Sequence, residues 1–324
     1  MENVREPGPG VAVNASTVEF ALIAEAGPLE AQAVLLCESI RRFGGALAQA
    51  QITVVSPRAQ RRPSARGISA LERLHVEYLA LDIDSCCPEY GTSWRVHAAA
   101  LIEQRSGPDV LIQLDSDTIF VSEPDPAWFA AAATARPVDV KGMCTTGAED
   151  PLDPYWRDLC ALAEVDYDRM PIVHTTVDRV AVRASYNGGF VAVRRELGLL
   201  AATEEIFRRL IGADMHSWTA DGPLMRTGTG YLSGRQTAFW GTSQAAFSLA
   251  AVARDQEVRL LPATCNFPGH SLDQMQGPTP SPLVHLHYHW LFAEANAIEH
   301  VENPRLALSA EAREWLRAKL PLIG

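Results

Sequence analysis

The stretch VLIQLDSDTIF, residues 110–120, constrains the fold of this chain more than any other. Its first five residues are almost wholly apolar, as in a strand buried on both faces of a parallel sheet, and the run stops abruptly in carboxylates. Alternation along an extended chain points Asp115 and Asp117 the same way with Ser116 opposite, so the strand end offers two oxygen ligands to a divalent cation. Ligands of open α/β sheets gather at the carboxyl ends of strands. Two further Asp-x-Asp pairs lack this setting: Asp82 and Asp84 follow VEYLAL, and Asp166 and Asp168 lie between a helical segment and a proline. Only the central pair ends a fully apolar strand and precedes a second apolar step; the competing reading is a solvated strand end.

The chain leading to that strand reads β-α-β. VEFALIAEAG from Val18 is a first strand and its turn, residues 29–43 form a helix ended by Gly44 and Gly45, and QITVVSP is a second strand. HVEYLAL is a third strand, and Ser93 is placed to cap a helix over residues 94–104 that carries Arg95 to the acidic edge. No G-x-G-x-x-G follows the first strand and no G-x-x-x-x-G-K occurs, which removes the main support for dinucleotide and P-loop readings. Arg58, Arg61, Arg62 and Arg66 share a loop-like segment, read either as solvated or as a phosphate or acceptor contact.

Composition narrows the function classes. A net charge of −11 argues against a general nucleic-acid binder, whose affinity rests on neutralising phosphates. Lys141 and Lys319 are the only lysines, so arginine carries nearly all positive charge, pointing to a high-GC genome. The apolar fraction of 47% with 21% charged residues is that of a globular protein, and no apolar run is long enough for a membrane span. The six cysteines show no CxxC pair, which suits reduced thiols and a cytoplasmic location. The opening residues read as a loose tail rather than a secretory signal.

Beyond the triplet, DPAWFAAAATA reads as a helix, VDVKGM as a strand and PLDPYWRDLCALAEV as a helix. In ASYNGGFVAVRR, Phe190, Val191 and Val193 make a buried strand whose mouth is Asn187, Gly188 and Gly189; paired glycines there imply close approach of the backbone to something, or a bulge. A helix over residues 196–211 precedes a glycine-rich loop, 212–234, long enough for a binding loop or lid. Trp218, Met225 and Trp240 are read as packing or as an acceptor surface. SQAAFSLAAVA is a helix and EVRLLPATCNFP a strand with its exit turn. In PLVHLHYHWLF, an extended chain puts His285, His287 and His289 on one face, a candidate metal or phosphate site.

This order of features resembles nucleotide-sugar-dependent glycosyltransferases of the GT-A fold, over residues 18–290, with glycogenin-like and lipopolysaccharide-galactosyltransferase-like enzymes as the nearest pattern. The resemblance implies an α/β, Rossmann-like mixed sheet flanked by helices. It implies a single body, with a nucleotide-binding lobe (18–121) after the tail (1–17) and an acceptor-binding lobe (122–324). It also implies Mn²⁺ or Mg²⁺ held by Asp115 and Asp117, with His287 as the first choice for a third ligand and His285 as the second. Ala24, Glu25 and Gly27 would lie by the nucleoside, Arg95 by the diphosphate, and Ser116, Gly188, Gly189 and Gln244 by the donor, with Asn187 lining the sugar pocket as a catalytic residue. The implied donor is a nucleotide sugar, UDP-sugar favoured, and the acceptor a small molecule or saccharide, with neither nucleic acid nor a membrane span as partner. The chain departs from the pattern at Ser243, where relatives place an acid before Gln244; Asp221 is the substitute for that catalytic role, and Asp214 and Asp178 are further candidates for a base. The alternatives are a nucleotidyltransferase acting on a sugar phosphate and a non-catalytic nucleotide-sugar-binding scaffold. A histidine-based metallohydrolase is suggested by HLHYH alone.

Overall fold

A computed structural model describes residues 13–218 and 222–322. In chain order the elements are β1 (Val18–Ile23), α1 (Pro28–Phe43), β2 (Gln51–Ser56), α2 (Ala65–Arg73), β3 (Glu77–Ala80), α3 (Thr92–Gln104), β4 (Val110–Leu114), β5 (Thr118–Phe120) and β6 (Ala133–Pro137). There follow α4 (Asp153–Leu162), β7 (Ile172–His174), β8 (Ala181–Arg183), β9 (Tyr186–Arg194), α5 (Leu199–Gly212), β10 (Met225–Thr227), β11 (Gly230–Leu232), α6 (Arg235–Ala238) and α7 (Thr242–Ala253). The last are β12 (Val258–Leu260), β13 (Phe267–Pro268), β14 (His285–His287), α8 (Ala297–Glu302) and α9 (Ala310–Arg317).

The main sheet has the order β12-β6-β9-β4-β1-β2-β3. β3, β2, β1 and β4 run parallel, β9 runs antiparallel to both β4 and β6, and β12 is parallel to β6. This is a mixed α/β sheet flanked by helices, with a GT-A-like arrangement. Strands from both sides of residue 121 build this one sheet: β3, β2, β1 and β4 precede it in the chain and β9, β6 and β12 follow it. A second sheet, β13-β14-β5, pairs the histidine strand antiparallel with the step after the acidic triplet: His287 lies opposite Thr118 and His285 opposite Phe120.

Strand alternation sorts the core into two layers. Val110, Ile112 and Leu114 with Phe20 and Phe190 pack on the side of α1, α9 and the small sheet. Leu111, Ala21, Val191 and Val193 face α3, α4, α5 and α7. Side chains satisfy the starts of some helices. The buried Glu103 carboxylate accepts the N–H groups of Leu200 (3.0 Å) and Ala201 (2.8 Å), doing at the start of α5 what Gly198 has no side chain to do. At α9 the Ser309 hydroxyl accepts from Ala312 N–H at 3.1 Å. Ser309→Ala is therefore expected to lower stability by about 1 kcal/mol, read as a shifted urea midpoint with an unchanged slope.

The alanine-rich stretch differs from expectation. Residues 126–129 form a single 3-10 turn and Ala133–Pro137 is strand β6, not helix. Alanine's helix preference is a weak prior, and here it is overridden because Ala133 and Ala135 are fully buried and pair with Val193 and Val191 of β9. VDVKGM, expected as a strand, is a chain of bends and turns. Ser93 lies inside α3 behind Gly91 and donates to Cys87 C=O at 2.8 Å, so it is not the cap. The tail assignment falls on residues 1–12, outside the described residues, and on 13–17, where Val13 and Ala15 pack on the core and Thr17 N–H bonds Asn14 C=O at 3.1 Å. All six cysteines are free thiols.

Candidate active site

The site is built on the carboxyl end of β4. Asp115 N–H bonds Gly189 C=O (3.1 Å), Thr118 Oγ1 bonds Asp115 C=O (2.7 Å), and the buried Ser116 hydroxyl bonds Ile23 C=O. These contacts fix the triplet between β1 and β9, where the sheet reverses direction. Ser116 thus points into the structure and ties two strand ends, while Asp115 and Asp117 face the cleft.

The two carboxylates have different neighbours. Asp115 forms an ion pair with Arg95 of α3, whose guanidinium also approaches Ser243 Oγ (3.5 Å). Asp117 faces histidines instead: its carboxylate lies 3.4 Å from His287 Nε2 and 4.0 Å from His289 Nδ1. Donor atoms of Asp117, His287 and His289 all lie within 4.8 Å of one another. Ligand atoms held at about 2.0–2.2 Å from one ion are at most roughly 4.4 Å apart, so small rotations close this set around a cation. The buried Nδ1 atoms of His287 and His289 have no hydrogen-bond partner, and a carboxylate with two imidazoles suits Mn²⁺ better than Mg²⁺.

His285 occupies a different place. It is fully buried, its ring lies 4.7 Å from that of Phe120 and 4.8 Å from that of Phe190, and neither nitrogen has a partner. β14 ends at His287, and His289 adopts a left-handed backbone with φ +50°. The three histidines therefore do not continue one extended face: the turn swings His289 round to Asp117 while His285 stays beneath, among aromatic rings.

Electrostatics follow this arrangement. Burial opposes a charge on His287, but Asp117, then Asp115 and Asp139, outweigh it and hold its pKa above the ordinary value. Burial likewise opposes the Asp117 carboxylate, yet His287 and then His289 hold it well below the usual carboxylate range. Burial above all, with His270 and His287 adding to it, holds the His289 pKa well below the ordinary value and favours the neutral form in which imidazole ligates metals.

Two residues that no local pattern signalled complete the cluster. His270 lies against His289 with the rings tilted (centroids 3.9 Å, interplanar angle 50°), and its Nε2 lies 3.8 Å from Asp139. Burial pushes His270 down to about 3 and Asp139 up to about 6. Asn187 donates to Asp139 (3.2 Å) and accepts Gly189 N–H (2.8 Å), so both ends of its amide are used in shaping the mouth.

The glycines have a steric reason. A Cβ on Gly189 would lie 2.7 Å from His287 Nδ1 and 2.9 Å from Asn266 Oδ1, and one on Gly188 would run into the Arg95 guanidinium. Gln244 lines the pocket behind Arg95 with Gln113, Gly188 and Ser243. At the other end, Ala24 bonds Val55 and Ser56 in the sheet, and Gly27 precedes α1 with φ +93°. Glu25 is buried in an ion pair with Arg58 and lies 3.7 Å from Arg61. Arg58 stacks 5.0 Å from Trp94, so two of the four loop arginines are structural partners rather than a free basic run. Asp166 caps a 3-10 turn, Asp168 is exposed there, and Asp82 and Asp84 lie exposed after β3. Asp214 pairs with Arg235 (3.0 Å) and Asp178 is bonded by Thr175 and Lys141 N–H. Asp221 lies outside the described residues.

The long loop folds partly into the hairpin β10–β11. Its turn lies over the acidic edge: Gln32 of α1 donates to Gly228 C=O (2.9 Å), and a Cβ on Gly228 would lie 2.9 Å from Asp117 Oδ2. Arg226 pins the hairpin to Glu294 and lies 4.9 Å from the Trp290 ring.

A Rossmann-like mixed sheet thus delivers an acidic pair, an arginine and a glycine-lined mouth to one strand edge. Residues 20–217, more than half of the chain, match the Rhodobacterales glycosyltransferase domain, and the protein belongs to that family. The match spans β1 to the loop after α5, whereas the histidines of the cluster lie C-terminal to it. No curated protein matches the chain. Among the described residues no helix is long and apolar enough to cross a membrane.

Proposed function

We propose that the protein moves a sugar from a nucleoside diphosphate sugar, UDP-sugar favoured, to an acceptor hydroxyl or amine, with a divalent cation, Mn²⁺ rather than Mg²⁺, held by Asp117, His287 and His289. The observation that carries the reading is the convergence of those three side chains at the carboxyl end of β4, beside Gly188 and Gly189. The cation would supply charge to offset the diphosphate leaving group.

The protein's own groups would do the rest. Arg95, oriented by Asp115, is positioned to hold the diphosphate. The absence of side chains on Gly188 and Gly189 lets the donor approach the backbone. The β10–β11 turn covers Asp117 and limits water there, which strengthens each of these charges. Asp115 is in this reading a partner of Arg95 that moves to the cation only if the ion pair opens. The order of motifs supports the glycogenin-like and lipopolysaccharide-galactosyltransferase-like enzymes as the nearest subtype.

A thermal-shift panel of UDP, GDP, dTDP and CMP, each with and without Mn²⁺, tests the donor class. One nucleotide is expected to raise the melting temperature only with Mn²⁺, by an amount that grows with ligand concentration. A shift that is indifferent to Mn²⁺, or no shift with any nucleotide, contradicts the reading.

A further inference from the structure

Beside the cation cluster lies a second, shallow cleft, with Arg136, Thr176, Arg179, Phe267, Met275 and Thr279 among its lining residues. Arg136 is on β6, paired across the sheet with Asn187. Phe267 follows Asn266, which touches the Gly189 position. The cleft is therefore one strand away from the mouth of the site, on the side of Asp139 and Asn187.

Its charge balance is unusual for this molecule. Arg136 donates only to neutral oxygens, Leu261 C=O (3.1 Å) and Thr176 Oγ1 (3.3 Å), and its buried Nε has no partner. Neither Arg136 nor Arg179 has a carboxylate within ion-pair distance among the described residues. The nearby acids are engaged elsewhere, Asp139 with Asn187 and His270 and Asp178 with Thr175 and Lys141 N–H. Burial disfavours the Arg136 charge and Arg179 adds repulsion to it, with Cys265 and Asp139 opposing. In a chain of net charge −11, the partly buried Arg136 and the exposed Arg179 line one cleft without a counter-ion, and the arrangement is incomplete because the desolvated charge of Arg136 is costly until an opposite charge reaches it. An oxyanion completes it, and guanidinium geometry matches carboxylate and phosphate oxygens.

We propose that Arg136 and Arg179 bind the acidic group, a carboxylate or a phosphate monoester, of the sugar acceptor. That the ligand is the acceptor rests on the transfer reaction proposed above; the anion site itself does not. Thr176, whose hydroxyl donates to Pro137 C=O (3.2 Å) and accepts from Arg136, steadies that guanidinium, and the 275–280 segment, anchored where Arg305 donates to Met275 C=O (2.8 Å), lines the cleft. The acceptor would thereby be held by a charge that is separate from the donor's cation.

The test is calorimetric titration of glucose 6-phosphate, glucuronate and glucose into the protein saturated with UDP and Mn²⁺, using wild type, Arg136→Gln and Arg179→Gln. At least one anionic sugar is expected to bind wild type tenfold or more tightly than glucose, and each substitution to remove about tenfold of that preference while leaving UDP affinity unchanged. Preference for glucose 6-phosphate over glucuronate, or the reverse, distinguishes a phosphate acceptor from a carboxylate one. Arg179 is exposed, so its variant reads the site even if Arg136→Gln fails to fold. Equal binding of all three sugars by wild type, or undiminished anion binding in the variants, overturns the proposal. Anion binding that the variants lose in a protein that does not bind UDP keeps the site and removes the donor reading instead.

Discussion

Asp117→Asn is expected to lower sugar transfer on the order of 10²–10³-fold and to abolish the Mn²⁺-dependent thermal shift, with the far-UV circular dichroism unchanged. The substitution keeps size and shape but removes the anionic oxygens that face His287 and His289. The backbone of Asp117 is held by its own contact, Tyr288 N–H to Asp117 C=O at 3.1 Å, so the turn has no reason to move. Asp115 cannot take over while Arg95 occupies its carboxylate. A variant that retains wild-type transfer at saturating Mn²⁺ would contradict the placement of the cation on Asp117.

Gly189→Ala is expected to destabilise the protein by about 1–3 kcal/mol, the usual cost of overpacking, and to weaken Mn²⁺ binding tenfold or more. The added methyl would sit 2.7 Å from His287 Nδ1 and 2.9 Å from Asn266 Oδ1. β9 cannot recoil easily, because Phe190 pairs with Leu114 and Gly189 C=O accepts from Asp115 N–H. The imidazole must therefore give way, and with it one ligand of the cluster. Gly188→Ala provides the contrast: its methyl meets the tip of Arg95, a long side chain that can withdraw, so a smaller stability loss is expected. Chemical denaturation and Mn²⁺ titration of both variants check the pair, and equal metal affinity in Gly189→Ala and wild type would oppose the account.

What was legible in the sequence followed from local rules. The strand 110–114 could be read because both of its faces are buried, so its apolar run is unbroken and the acids at its end stand out. The HLHYH segment announced a histidine site but not its membership. Strand alternation grouped His285, His287 and His289, yet pairing with β5 places His285 against Phe120, and the left-handed turn at His289 is a feature that periodicity does not carry. His270 and Asp139 were silent, each an isolated residue brought in by tertiary packing. The run AAAATA read as helix because propensity was the only local signal available, whereas its place beside β9 is set by the whole sheet. Arg136 and Arg179 likewise acquire meaning only from the carboxylates they do not meet.

Release of UDP from UDP-sugars reads out whether a cation on Asp117, His287 and His289 serves transfer from a nucleotide sugar. Turnover is predicted to vanish with chelator, to return with added Mn²⁺, and to be lost in His287→Ala and His289→Ala. Turnover that persists in excess chelator, or at the wild-type rate in the double variant, would contradict it.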